Sequence, residues 1–377
     1  MPDVTSIPTE LWRNIITIAC TDGGFTGTSL AFTSKFFHAQ SHDLRFHSLA
    51  LNSLRQLEGF CAFVQLQAQH GKPRIEHLYL SFFNIPQMLR SDPRHAALGH
   101  SRPMEFDNWT TEVQARWNER LAAAWTTLIT HAAPTLRTLC IVEEDVPLAL
   151  GFSCDLPRLE ELSWRGYIRA FRAPGLQEQG ASLRRFPSLK RVHFVSGNSD
   201  SVVDALAAAV PSSLTHLRIS NVSDWDAKLP AALARALGLP PPPSQFWDAP
   251  DDEDVQPEEA TLPHLRVVVI HAMPPDTSDE DAAPFYYDPW QSVCEELDWL
   301  VRKGQERMDR VQVLMVAGKR RWGSRWAAER MRVNWLSRMT GGQGCWTGSE
   351  EEEVDFETAY EDDPHEEYPS DVDEDFL

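Results

Sequence analysis

The chain has 377 residues and is 42% apolar, enough to bury a core in two or three structural units, which excludes a wholly disordered protein. Its net charge of −20 is concentrated: fifteen Asp or Glu and no Lys or Arg fall in residues 349–377, six more acids in 251–259, and the rest carries +1, so a uniformly acidic body is excluded. The first nine residues have no basic segment leading into an apolar run, and no window holds eighteen uninterrupted apolar residues; neither a secretory leader nor a membrane span is expected, and the cytosol or nucleus is.

In chain order, residues 6–40 read as two helices joined by a glycine-rich loop. Pro8 suits a first helical turn, and Leu11, Ile15 and Ile18 recur at helical spacing beside a second stripe of Trp12, Ile16 and Ala19. So wide an apolar surface needs two partners, one of them the protein's own core. The loop Asp22-Gly23-Gly24-Phe25-Thr26-Gly27 ends the first helix, with Thr28 as an N-cap for a second that carries Leu30, Phe36 and Phe37.

Ile7-Pro8-x-Glu10-Leu11, then Ile15, then Leu30-x-x-Thr33-Ser34-Lys35-x-Phe37 together resemble an F-box over residues 1–45. Thr33 stands where the family usually has Val, and the glycine-rich loop stands where many members have a charged helix start. The resemblance implies that these helices bind the Skp-family adaptor, and through it the cullin, of a ubiquitin ligase. It also implies that Ile7, Pro8, Leu11, Ile15, Leu30 and Phe37 form or support that contact. An ordinary helical hairpin is the alternative.

From residue 46 onward one pattern recurs, apolar-x-x-apolar-x-apolar, whose last two positions alternate as a half-buried strand requires. It occurs at Phe46-Leu49-Leu51, Ile75-Leu78-Leu80, Leu136-Leu139-Ile141, Leu159-Leu162-Trp164, Leu189-Val192-Phe194, Leu214-Leu217-Ile219, Leu265-Val268-Ile270 and Val311-Leu314-Val316. Helical stripes fall between several of them: Leu54, Leu57, Cys61 and Val64, then Val113, Trp117, Leu121, Ala124, Trp125 and Leu128. Strand, helix, parallel strand resembles the leucine-rich repeat family, which implies an α/β solenoid over 46–339. The starts are 23 to 61 residues apart, whereas regular repeats run to roughly 20 to 29. Insertions near 240–263 and 273–289, rich in Pro and Asp, are therefore expected as disordered surface loops, and 340–377 as a glycine linker with a disordered acidic tail.

Reactive constellations are sparse. The six cysteines form no C-x-x-C pair and have no clustered His beside them, so reduced, mostly buried thiols are expected and no metal or cofactor. The loop at Gly23 lacks the lysine of a phosphate-binding loop and follows a helix, not a strand. His38 and His42 are one turn apart but have no following Glu, and surface or capping roles suit them better. Residues 302–338 carry eleven Lys or Arg against three acids, with Trp322, Trp326 and Trp335 interspersed. That mixture suits nucleic acid. A helix over 324–339 with Trp322, Trp326, Val333 and Leu336 on one face suits core packing and a cap on the last repeat better, so nucleic acid is not an expected partner. The expectation is a non-enzymatic substrate receptor of a Skp–cullin–F-box ligase that holds an unnamed protein substrate on its repeats. A repeat scaffold without ligase association is the alternative.

Overall fold

A computed structural model describes residues 7–67, 73–82, 103–143, 152–166, 186–195, 200–209, 213–223, 226–243, 259–273, 283–307, 311–317 and 324–346. The acid-rich stretches at 251–258 and 347–377 lie outside the described residues.

The N-terminal unit is three helices where the sequence suggests two: α1 (Thr9–Ala19), α2 (Phe25–Thr33) and α3 (Lys35–Ser41). Ser34 divides the second stretch. Its backbone is extended, and its hydroxyl accepts from the Phe37 N–H at 3.2 Å, capping α3. Thr28 is not the cap of α2. Gly24 holds that position at φ 101°, where glycine is least strained, and the Thr28 hydroxyl donates to its carbonyl at 2.8 Å.

The glycine-rich loop ties this unit to the sheet. Gly23 N donates to Ser48 Oγ (3.0 Å), Ser48 Oγ donates to the Cys20 carbonyl (2.7 Å), and Ala50 N donates to the Gly23 carbonyl (3.1 Å). These bonds cover the edge of β1 (Ser48–Leu51), which would otherwise present unpaired backbone groups. Gly27, buried in α2, lies directly on the following chain: a Cβ there would come within 2.5 Å of the Arg45 carbonyl oxygen and 2.6 Å of its Cα. Because the obstacle is backbone, Gly27→Ala should force α2 away from residue 45 and lower stability by about 2 kcal/mol. A urea midpoint equal to the parent's would show that the approach relaxes freely.

Beyond this unit, eight parallel strands form one sheet in strict chain order. After β1 come α4 (Leu54–Gln67), β2 (His77–Phe82), α5 (Pro103–Ala132), β3 (Thr138–Glu143), β4 (Glu161–Arg165), β5 (Arg191–Val195) and α6 (Asp200–Ala209). They are followed by β6 (His216–Val222), α7 (Leu229–Leu237), β7 (Val267–Ala272), α8 (Ala283–Arg307), β8 (Gln312–Ala317), α9 (Ser324–Met339) and a 3-10 turn at Gly344–Trp346. Asn221, at φ 65°, makes the bulge that interrupts the β6–β7 register.

One row of partners runs Leu49, Leu78, Leu139, Leu162, Val192, Leu217, Val268, Val313, and the next runs Leu51, Leu80, Ile141, Trp164, Phe194, Ile219, Ile270, Met315. Together with the apolar residue that opens each repeat and with α4 to α8, these rows make the main core. The eighth repeat is shifted by one residue from the pattern Val311-Leu314-Val316: Val313 and Met315 join the core, and Leu314 and Val316 belong to the other face. Both alternations of Val313-Leu314-Met315-Val316 are apolar, so hydrophobicity alone does not choose between them. The two insertions are also shorter than the composition suggests. Leu262, inside the first, is buried, and residues 283–289 of the second belong to α8.

Candidate functional site

Exposed large apolar side chains are concentrated in the N-terminal helices. Leu11 (52% exposed), Ile15 (48%) and Ile18 (74%) line one face of α1, one helical turn apart, with Ile7 (37%) just before it. Phe25 (77%) and Phe32 (86%) lie two turns apart on α2. Of the six residues singled out from the sequence, Ile7, Leu11 and Ile15 are on this surface. Pro8 starts α1, its carbonyl accepting from Leu11 N and Trp12 N. Leu30 and Phe37 turn inward on Ile16, Cys20 and Leu44 and support the helices from within. Trp12 meets Phe37 and Phe36 edge-on at 5.1 and 6.1 Å. Ile18, Phe25 and Phe32 were not among the predicted contacts. Ile18 was legible as the third member of the Leu11 stripe; Phe25 and Phe32 become neighbours only once α2 is seen to begin at residue 25.

No known protein family, curated protein or solved structure matches the chain. Among the described residues no helix is long and apolar enough to cross a membrane.

The sheet face opposite the main core is a second surface, and part of the chain already lies on it. α9 crosses it, burying Ala327, Ala328, Met331 and Trp335 against Tyr79, Cys140, Val142, Val195 and Met273. Tyr79 donates its hydroxyl to the Ala328 carbonyl at 3.2 Å and packs against Trp335 at 5.7 Å. This corrects the expectation that the helix caps the last repeat, and it also changes the buried stripe. Val333 and Leu336 are only half-buried, Trp322 lies outside the described residues, and the side chain of Trp326 is not described. The glycines after α9 do not form a free linker as far as residue 346. Gly344 (φ 58°) turns the chain so tightly that a Cβ would meet Arg338 at 2.8 Å, and Cys345 is buried.

Charges hold this strap in place. Glu161, almost fully buried, accepts from Arg338 Nε (3.0 Å), Trp346 Nε1 (3.1 Å) and Arg191 (3.5 Å). Arg218 donates to the Cys345 carbonyl and, through Nε, to Ser220 Oγ at 3.0 Å. His193 lies 3.0 Å from Ser220 Oγ. Burial, with the Arg218 and Arg330 guanidiniums nearby, keeps His193 neutral well below its ordinary range and pushes His271 down to about 3. Burial raises the Cys345 thiol to about 12 and the Cys20, Cys61 and Cys294 thiols to about 11, so none of these four is a thiolate at neutral pH.

The second residue of each repeat forms a polar ladder along the edge where the strands begin. Arg137 reaches Glu160 at 2.7 Å and Glu76 at 4.0 Å, and Lys190 reaches Glu160 at 3.8 Å. At the start of the ladder, His47, Glu76 and His77 converge, one ligand atom from each lying within 4.8 Å of the others. The Glu76 and His77 N–H groups both donate to the His47 carbonyl, at 3.0 and 3.1 Å, so the backbone fixes the trio. His47 Nδ1 is buried, makes no hydrogen bond and lies 3.6 Å from Glu76 Oε1. Burial lowers both imidazoles, His77 to about 3. Cysteine spacing and local histidine clusters do not reveal this trio, because thirty residues separate the histidines. Aligning the repeats does, since His47 and Glu76 hold the same place in successive ones.

Proposed function

We propose that the chain is the substrate-recognition subunit of a Skp–cullin–F-box ubiquitin ligase, its N-terminal helices docking on the adaptor and its repeat domain holding a protein substrate. The observation that carries this reading is the distribution of exposed apolar side chains: of seven large ones among the described residues, six lie between residues 7 and 32. Leu11, Ile15 and Ile18 on one helix and Phe25 and Phe32 on the next are the kind of anchors that a buried interface uses. The order Ile7-Pro8-x-Glu10-Leu11 to Leu30-x-x-Thr33-Ser34-Lys35-x-Phe37 resembles the F-box and supplies the identity of the occupant. A receptor of this class does no bond chemistry itself. It raises the effective concentration of a substrate lysine near the ubiquitin-charged enzyme.

The test is co-expression with a Skp-family adaptor. The parent chain should co-purify with it. Leu11→Asp should weaken binding by about 2 kcal/mol or more, roughly thirtyfold, because an apolar anchor is lost and a charge is buried in the contact. Leu11 is half exposed in the free chain, so the variant should melt with the parent. Equal recovery of the adaptor by both proteins, or by neither, would remove the reading and leave the repeat scaffold in its place.

A further inference from the structure

We propose that His47, Glu76 and His77 form a binding site for one zinc ion at the junction between the N-terminal helices and the first two strands. The donor set, two imidazoles and one carboxylate, is one that zinc accepts with a fourth position left for water. Zinc bonds of about 2.1 Å in a tetrahedron put ligand atoms roughly 3.4 Å apart. The trio lies within 4.8 Å, so small side-chain rotations close the difference.

The surroundings prepare each ligand. Thr138 Oγ lies 2.9 Å from His77 Nδ1, within reach to accept from it. A metal held by Nε2 would leave Nδ1–H donating to this hydroxyl, the outer-shell arrangement typical of ligating histidines. His47 brings a buried ring nitrogen with no hydrogen-bond partner. Glu76 brings Oε1, the oxygen nearest His47.

Two guanidiniums balance Glu76, and they differ in freedom. Arg137 is fixed by two bonds to Glu160, at 3.0 and 2.7 Å, and reaches only Glu76 Oε2. Arg74 pairs with Oε1 itself, but half of its side chain is exposed and it is free to swing into solvent when a cation replaces it. Arg74 is therefore a competitor for the metal position. A bound ion would join the segment leaving α3 to the start of β2, fixing how the N-terminal unit sits on the sheet.

The full-length chain, stripped with a chelator, should be titrated with zinc chloride by calorimetry and with cobalt(II) by visible absorption. One equivalent should bind, with cobalt bands of nitrogen and oxygen ligation and none of thiolate ligation, and zinc should raise the melting temperature. His77→Gln and Glu76→Gln should abolish this binding. Arg74→Gln should tighten it about tenfold by removing the competing cation, and as a change to an exposed side chain it keeps the fold intact for the comparison. Zinc affinity that is the same in the parent, His77→Gln and Arg74→Gln, or cobalt spectra dominated by thiolate, would overturn the assignment. Neither result bears on adaptor binding, which Leu11→Asp tests separately.

Discussion

Taking the pH from 7 to 5 should cost the fold about 4 kcal/mol through His193 and His271 alone. Both are buried beneath α9, next to Arg218 and Arg330, and both are neutral in the folded chain. The unfolded chain protonates them near pH 6.5, whereas the folded chain holds His271 unprotonated to about 3 and His193 well below its usual range. Over that window the unfolded state binds more protons. Stability is therefore complete above about pH 6.5 and falls by about 1.4 kcal/mol per histidine for each unit below it. Urea unfolding at pH 7, 6 and 5 measures this slope together with the part that His47 and His77 add, and His271→Gln should lower the total by about 1.4 kcal/mol per pH unit. Equal stability at pH 5 and pH 7 would show that water reaches both rings.

Glu161→Ala should cost about 3 to 5 kcal/mol, the range for removing one partner of a buried ion pair. The loss is larger than that of a surface bridge because Glu161 serves three donors, from β5, α9 and the 3-10 turn. Without it, Arg338 remains largely buried without that carboxylate. The damage should be uneven. Amide exchange should quicken first in residues 336–346, while the Leu49-to-Val313 row stays protected. Uniform loss of protection across the sheet would mean that Glu161 supports the main core and not the strap.

How far the sequence reveals this fold follows from which face a residue serves. Seven of the eight strands were legible because the apolar residue that opens each repeat stands three places before the core row, which sets the register even in β7, where Val267-Val268-Val269-Ile270 is apolar on both faces. The eighth failed because Val311 stands only two places before Val313, and Val313-Leu314-Met315-Val316, apolar on both faces, does not betray the shift. The second face was illegible for the opposite reason. Its rows set Tyr79 and Cys140 beside Ser163, His193 and Arg218, and no apolar stripe announces that a helix covers them. In α9 the buried residues Ala327, Met331 and Trp335 compete with an equally good helical stripe through Val333 and Leu336. Only the partner surface decides between the two. The three-helix N-terminal unit was nearly legible: the break needed Ser34 to be read as a cap inside what resembled one helix.

The strap formed by α9 and the turn at Gly344–Trp346 changes the arithmetic of recognition. Any protein that reads the sheet face around Tyr79, Cys140 and Glu161 meets a competitor on the same chain, held at an effective concentration on the order of millimolar. Intrinsic affinity for that face would be discounted by the fraction of time the strap is away. A ligand that binds the loops or the uncovered strands is subject to no such discount. The chain thus has two classes of surface under different rules: one open to every passer-by, and one offered only to a partner strong enough to displace part of the chain itself.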